Sequence, residues 1–453
     1  MFTGLTEQLD FGNHLIAEIV PEDHELVNLK KILNWEKMNK IYRECYKSNK
    51  GNATKRTDLV LGLFILKHLY QKSYRSIIKE LHVNNAYMHF CSVSYEEIKK
   101  LNKEKKQLID HSTLIKVKAK LGKDRISRIE NIFLQQLIDS GFIDGKYLFS
   151  DTTSLENNII YPTEIGLLKR VIEEAEAVVQ KVRFKKDMVK SEIIKKANQI
   201  AKVYYSSARK TKELLITCGK ELVKIANKTV KKAQDVVSKK KGTVKSHSRT
   251  RFEKVKEVGC KIINQAERKF SGEKIEDKIV SYFEDHARSL PKGKVNKPVE
   301  FGCKLRIDMS GNGYITNHEL YLGNPSDVTM LDDVIWNHKE VFGDKFSAAG
   351  LDRSFYDEQK IMELEDEYSI NLAIPHKKDR SKKMGKRKEK IYNKRSAIEA
   401  KISEGKRMCG LGKSLYKGFD GDRIWSTFSV MALNIRKLFR EIEKNPRLIK
   451  RFV

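Results

Sequence analysis

From Asp58 to about Gly122, apolar residues return at helical spacing. Leu59, Leu63, Leu66 and Leu69–Tyr70 come first. Ile77, Ile78 and Leu81 follow behind Ser73, which the pattern sets as an N-cap. A further short helix is expected from near Ser112, in HSTLIKVKAKLG. Short helices joined by short turns predict an all-α N-terminal domain over 1–140. It reads either as a helix-turn-helix-like DNA-binding module or as a purely structural bundle. Residues 1–50 carry no clear pattern.

The period changes at Tyr147. YLFSDTT is apolar and then abruptly polar, which predicts a buried strand with Asp151 closing it. Period-2 alternation returns much later. Val299, Phe301, Cys303, Leu305, Ile307 and Met309 alternate there with Glu300, Gly302, Lys304, Arg306 and Asp308. Ser310-Gly311-Asn312-Gly313 predicts a hairpin turn, with YITNHELYL as the returning strand. Asn324-Pro325-Ser326-Asp327 ends that strand and caps a helix carrying Leu331, Val334, Ile335 and His338. FSAAGLD reads as a short strand ending at Asp352. A helix over about Asp357–Glu367 follows, with Asp357 as N-cap, and then the strand INLAI, stopped by Pro375. Set aside 162–297, and the order is strand, two hairpin strands, helix, strand, helix, strand, helix. That is the order of an RNase H-like α/β domain, here over 141–161 and 298–453. In that fold Asp151, Asp352 and a carboxylate on the last of these helices lie together.

Segment 162–297 is expected to be an all-α basic insertion after the first strand. GLLKRVIEEAEAVVQKVRF is helical by spacing, and apolar positions continue at Val189, Ile193, Ala197, Ile200, Tyr204, Leu215, Leu222, Ile225 and Val236. A disordered basic tail would lack them. The reading is long amphipathic helices, an antiparallel hairpin turning near Cys218-Gly219, and KKKGTVKSHSR as an exposed loop. Between Lys181 and Thr250 about 21 Lys and Arg stand against 5 Asp and Glu. Such a face is either a phosphate-tracking arm or a solvated coiled coil. A second basic run, His376 to Lys390, is expected as a mobile loop that DNA would order. A nuclear localisation signal is the alternative.

The net charge of +30 over 453 residues, with a pI near 9.6, calls for a polyanionic partner, nucleic acid ahead of an acidic membrane surface. No apolar run approaches the ~20 residues that span a bilayer. The opening MFTGLTEQLDFGNH lacks the pattern of a secretory signal. The six cysteines are scattered without a C-x-x-C pair, which argues against a zinc knuckle or a disulfide framework. Free thiols in a reducing cytoplasm are expected.

The candidate chemistry lies at Tyr392, Arg395, Glu399 and Lys406. On one α-helix these four fall within an arc of about 60°, along a stripe about 21 Å long. Ile391, Ile398 and Ile402 form an apolar stripe beside it. A carboxylate flanked by phosphate-binding cations suits metal-assisted chemistry on nucleic acid. The alternative is a solvated face of i,i+4 pairs. Glu404 points about 140° away from Glu399 on such a helix. His286, His318 and His338 read as ordinary polar residues.

With these motifs in hand, the chain resembles the DDE transposases of bacterial insertion sequences, in the group with a Tyr-x2-Arg-x3-Glu-x6-Lys signature. Tyr392, Arg395, Glu399 and Lys406 match that spacing in full. TDLVLGLFILKHLYQKSYRSIIKEL with DHSTLIKVKAKLG is similar to the family's N-terminal domain, and SDTTSLENNIIYPTEIGLL to its first-aspartate segment. DKIVSYFEDHARSLPKGKVNKPVEFGCKL, GNPSD and AAGLDRSFYDEQ extend the likeness over most of 20–440. The resemblance implies DNA transposition by two-metal chemistry. Asp151, Asp352 and Glu399 would be the catalytic carboxylates holding Mg2+, with Mn2+ as substitute. Asp151 would be the bridging ligand. Tyr392, Arg395 and Lys406 would contact the backbone of the element's end. The implied partners are terminal inverted repeats and target DNA, bound by a homodimer or higher oligomer in the bacterial cytoplasm, on the nucleoid, with no membrane. One departure stands out. Better-known members carry their insertion between the fifth strand and the glutamate helix, often with a tryptophan that holds a flipped base. Here the insertion follows the first strand and has no tryptophan; Trp35, Trp336 and Trp425 lie elsewhere. The likeness therefore does not extend to a hairpin route for strand cleavage.

Overall fold

The computed structural model of the chain describes residues 18–46, 55–182, 191–240, 244–292, 298–377 and 384–452. It begins with helices α1 (Glu25–Ile32), α2 (Trp35–Arg43), α3 (Thr57–Leu69), α4 (Tyr74–Leu81), α5 (Asn85–Phe90), α6 (Tyr95–Lys103) and α7 (His111–Asp139). Strand β1 (Tyr147–Asn157) leads into α8 (Glu164–Val182), α9 (Glu192–Ser206), α10 (Lys212–Lys239), α11 (Ser246–Lys254) and α12 (Cys260–Phe270). Then come β2 (Arg288–Pro291), β3 (Val299–Ser310), β4 (Ile315–Tyr321), α13 (Leu331–Phe342), β5 (Ala348–Leu351), α14 (Glu358–Tyr368) and β6 (Asn371–Ala373). The chain closes with α15 (Lys386–Asn393), α16 (Ser396–Met408) and α17 (Phe419–Lys444). Among the described residues, no helix is long and apolar enough to cross a membrane.

The described residues fall into two compact units. One comprises Met1–Leu155, Lys304–Tyr321 and Pro325–Val453, and the other Glu156–Cys303 with Leu322–Asn324. The first unit is mixed α/β, with strand order β4-β3-β1-β5-β6. β4 returns antiparallel to β3 through the Ser310–Gly313 turn, where Gly313 takes φ +88. β1 runs parallel to β5 from Tyr147↔Ala348 to Ser150↔Leu351, and β5 parallel to β6. Leu148, Ala349, Leu351 and Leu372 on one sheet face pack with Val334, Ile335, Ile361 and Leu364 of α13 and α14. Burying these aliphatic side chains is the main term that seats the two helices. Asp357 caps α14 by accepting from Lys360 N–H at 3.2 Å, as its spacing predicts.

β1 differs from the expectation. Asp151 does not close it; the strand continues through Thr152, Thr153, Ser154 and Leu155 to Asn157. The polar residues there are paired inside the fold rather than solvated. Thr152 Oγ1 donates to Asp327 at 3.2 Å, and Ser150 Oγ donates to Asp308 at 2.6 Å.

The N-terminal helices follow their periodicity, and Ser73 caps α4 through Ser76 N–H at 3.0 Å. The helix expected near Ser112 starts one residue earlier, at His111, and is capped by Asp110, which accepts from Ser112 N–H at 2.7 Å. Gly122 breaks it with φ +68, and α7 resumes to Asp139. α3 is buried on every side. Phe64 meets Phe428 with ring centroids 5.5 Å apart, and His68 Nδ1 lies 3.3 Å from Ser429 Oγ. Helix α3 thus shares a core with the C-terminal helix α17 inside one unit.

The second unit has its own core. Ile165, Leu168, Val171 and Ile172 of α8 pack with Leu222 and Ala226 of α10 and Ile262 and Ala266 of α12. Ala197, Ile200, Leu222 and Val236 are buried and Ile193, Tyr204, Leu215 and Ile225 pack against them, while Val189 lies outside the described residues. The expected turn at Cys218-Gly219 is absent: α10 runs straight through it. The chain reverses earlier, between Ser206 and Lys212, where Thr211 caps α10 by accepting from Leu214 N–H at 3.2 Å. Gly219 is small for packing, since a Cβ there would sit 2.2 Å from the Phe270 ring. The expected KKKGTVKSHSR loop is shorter than its composition suggests. α10 reaches Lys239, α11 begins at Ser246, and 241–243 lie outside the described residues. Strand β2, which no sequence signal announced, pairs antiparallel with β3 from Arg288↔Gly302 to Pro291↔Val299.

Candidate active site

The site grows from the register of β1 and β5. Ser150 pairs with Leu351, so the next residues along these parallel strands are Asp151 and Asp352. Asp352 leaves β5 and starts a 3-10 turn, Arg353–Phe355, in which Phe355 N–H donates to the Asp352 carbonyl at 3.0 Å. Within β5, Gly350 leaves room for the neighbouring Phe149 ring, which a Cβ there would meet at 3.1 Å.

Tyr392, Arg395, Glu399 and Lys406 do not lie on one helix. α15 ends at Asn393 and α16 begins at Ser396, so Lys394 and Arg395 form the joint. Their backbone N–H groups, and those of Ala397 and Ile398, donate to carbonyls three residues back at 2.9–3.2 Å. That is 3-10 winding, which turns through more than 100° per residue. The apolar stripe survives the joint, with Ile391, Ile398 and Ile402 all buried. The later part of the basic run His376–Lys390 is helical too, because α15 starts at Lys386; residues 378–383 lie outside the described part.

At the joint the Arg395 guanidinium reaches three carboxylates. Its Nη1 lies 3.2 Å from Asp151 Oδ2, and its Nη2 lies 2.7 Å from Glu399 Oε1 and 3.8 Å from Asp352 Oδ1. Arg395 is the most enclosed of the four, with its side chain 11% exposed; Asp151 is 21%, Asp352 33% and Glu399 59% exposed. The other oxygen of each aspartate accepts a hydrogen bond. Thr152 N–H donates to Asp151 Oδ1 at 2.8 Å, and Ser354 Oγ donates to Asp352 Oδ2 at 3.2 Å. The Tyr392 ring centroid is 5.4 Å from Arg395 Cζ, within cation–π range.

Burial pushes the Asp151 carboxyl up to about 6, helped by Asp352 and Glu399, while Thr152 N–H and Arg395 pull it down. Burial works against the Arg395 charge, but Asp151, Tyr392, Asp352 and Glu399 outweigh it and hold its pKa above the ordinary value. Three formal negative charges therefore face one positive charge. The set is all oxygen and hard, which suits Mg2+ or Mn2+ rather than a soft metal.

The remaining candidates lie off this cluster. Lys406 is half-buried on α16, two turns beyond Glu399. Glu404 pairs with Lys401 at 3.3 Å and Arg440 at 2.9 Å. His318 pairs with Glu130 at 3.0 Å, and His338 Nε2 lies 2.9 Å from the Gly145 carbonyl. His286 lies 3.4 Å from Asn157 Nδ2.

Sequence reasoning missed the groups that brace β1. Lys304 Nζ, on β3, donates to Asp327 at 2.9 Å and to the Pro325 carbonyl at 2.6 Å, and Asp327 in turn accepts from Thr152. On the other side, buried Arg306 donates to Asp308 at 3.1 Å and to Tyr321 Oη at 2.6 Å. Both bracing carboxylates flank Asp151 through its chain neighbours, Thr152 and Ser150. The signal was present as two basic residues and an aspartate, Lys304, Arg306 and Asp308, on alternate positions of β3, where a solvated face would be the default reading.

Residues 14–119 match the family model described as Transposase domain (DUF772). That match supports a transposase role for the chain. No curated protein and no solved structure matches it.

Proposed function

We propose that the protein is a DDE transposase that binds the ends of its insertion sequence and cleaves and joins DNA with Mg2+ or Mn2+. The observation that carries the reading is the convergence of Asp151, Asp352 and Glu399, from three distant segments, on one guanidinium. The strand order β4-β3-β1-β5-β6, with β1, β5 and β6 parallel, supports an RNase H-like catalytic fold. The three carboxylates would hold the metal ions, which when bound activate the attacking oxygen and stabilise the leaving one. Thr152 N–H and Ser354 Oγ fix the two aspartates in orientation. Tyr392, Arg395 and Lys406 would hold the backbone of the element end, and the N-terminal helices would take part in DNA binding. On α10, Lys220, Lys224, Lys228 and Lys231 are exposed at helical spacing along about 16 Å. These four would track phosphates.

The test uses purified protein, labelled element ends, a target plasmid and Mg2+. Asp151→Asn, Asp352→Asn and Glu399→Gln should each abolish cleavage and leave end binding largely intact, because the amide keeps the shape but loses the charge. Binding without cleavage by the parent protein would make it a DNA-binding derivative, and cleavage without joining a nuclease. Normal cleavage by Glu399→Gln together with loss in Glu404→Gln would move the third ligand to Glu404.

A further inference from the structure

The Arg395 contacts carry a consequence for how the site is loaded. The Asp151 and Asp352 oxygens that turn away from Arg395 already accept from Thr152 N–H and Ser354 Oγ. The oxygens without such a bond, Asp151 Oδ2 and Asp352 Oδ1, are the ones that Arg395 contacts. Glu399 Oε1 is engaged in the same way at 2.7 Å. A divalent cation that takes these oxygens meets the guanidinium as a like charge in the same place, so the two exclude each other.

We propose that Arg395 is a built-in counter-ion that competes with divalent metal for the three carboxylates, and that a DNA phosphate draws it away. Metal binding and DNA binding at the site then strengthen each other. This inference rests on the metal-binding reading of the triad. Arg395 sits in the short 3-10 joint between α15 and α16, and only its guanidinium has to turn to leave the carboxylates. Its planar fork suits a phosphate as well as a carboxylate. Once phosphate holds it, Asp151 Oδ2, Asp352 Oδ1 and Glu399 Oε1 are released together. Linkage requires the converse: metal on the carboxylates frees the guanidinium for phosphate, and both couplings have the same size. The device would keep the site closed to metal until DNA is in place.

The test is Mn2+ binding to the full chain by titration calorimetry, with and without a short duplex of arbitrary sequence. The variants are Arg395→Gln, Arg395→Ala and Asp151→Asn, each checked for folding by circular dichroism. Without DNA, Arg395→Gln and Arg395→Ala should bind Mn2+ on the order of 10-fold more tightly than the parent. The duplex should tighten Mn2+ binding by the parent by a similar factor, and leave the two variants nearly unchanged. Mn2+ should also raise the melting temperature of Arg395→Gln more than that of the parent. If folded Arg395→Gln binds Mn2+ no more tightly than the parent, the competition does not exist and the proposal is overturned. If instead Asp151→Asn binds Mn2+ as the parent does, the triad is no metal site, and both the reading beneath the proposal and the proposal fall.

Discussion

Replacing Asp151 with asparagine should stabilise the unit that contains the site, by an amount that grows as pH rises from about 4 and is complete above about 6. The carboxyl is four-fifths enclosed on β1, and burial raises its pKa from 3.8 to about 6. Its folded pKa therefore exceeds its unfolded one. The protonated acid favours the fold fully below the unfolded value, and that contribution is lost as pH rises through about 6. A gap of about 2 pH units at about 1.36 kcal/mol each makes the ionised form cost about 3 kcal/mol. The exposed fifth of the side chain is screened by water, which trims the figure to about 1–3 kcal/mol. Asparagine has the shape of the neutral acid and no charge to lose. Denaturant unfolding with a chelator present measures this cleanly, because Trp35, Trp336 and Trp425 all lie in the unit that contains Asp151. Tryptophan fluorescence then reports that unit alone. Asp151→Asn should exceed the parent by about 1–3 kcal/mol near pH 8 and match it near pH 4. A variant less stable than the parent near pH 8 would refute the reasoning, since Arg395 would then outweigh burial.

Gly219→Ala should destabilise the helical unit by about 1–3 kcal/mol, because the new methyl meets the Phe270 ring. Far-ultraviolet circular dichroism should show the earlier transition while tryptophan fluorescence does not. Replacing Lys220, Lys224, Lys228 and Lys231 with glutamine should flatten the salt dependence of duplex binding, by about 0.9 in log-log slope for each phosphate no longer neutralised. An unchanged slope in fluorescence anisotropy would reduce that face of α10 to a solvated one. Lys67 is 6% exposed under Trp425, Tyr416 and Tyr74, and burial, with Lys118 nearby, lowers its pKa to about 7. A depressed lysine contributes stability above its unfolded pKa and loses it as pH falls through about 7. Lys67→Met should therefore stabilise the fold most below about pH 7, and the advantage should shrink toward pH 10; a pH-independent gain would point to packing alone.

What could be read in the sequence was local. The strand over 299–309, the Ser310–Gly313 turn and the Asp357 cap each depend on neighbours a few residues away, and each stands in the fold, although both faces of that strand are buried from Leu305 onward. The errors share one cause, which is that partners distant in sequence changed what a local pattern meant. Thr152 looked like the start of a loop because its partner, Asp327, is 175 residues further on. Gly219 looked like a turn because Phe270 was not in view. The packing of α3 on α17 lay out of view for the same reason, His68 and Ser429 being 361 residues apart. The signature stripe shows the same limit most sharply. Spacing alone put Arg395 and Glu399 on one face, and their 2.7 Å contact bears that local step out. Spacing could not show that the chain winds tighter at Lys394–Arg395, nor that the joint turns Arg395 onto Asp151 and Asp352. A stripe of residues displayed along one helix would leave the arginine facing solvent. The joint instead makes it the centre of the acidic cluster.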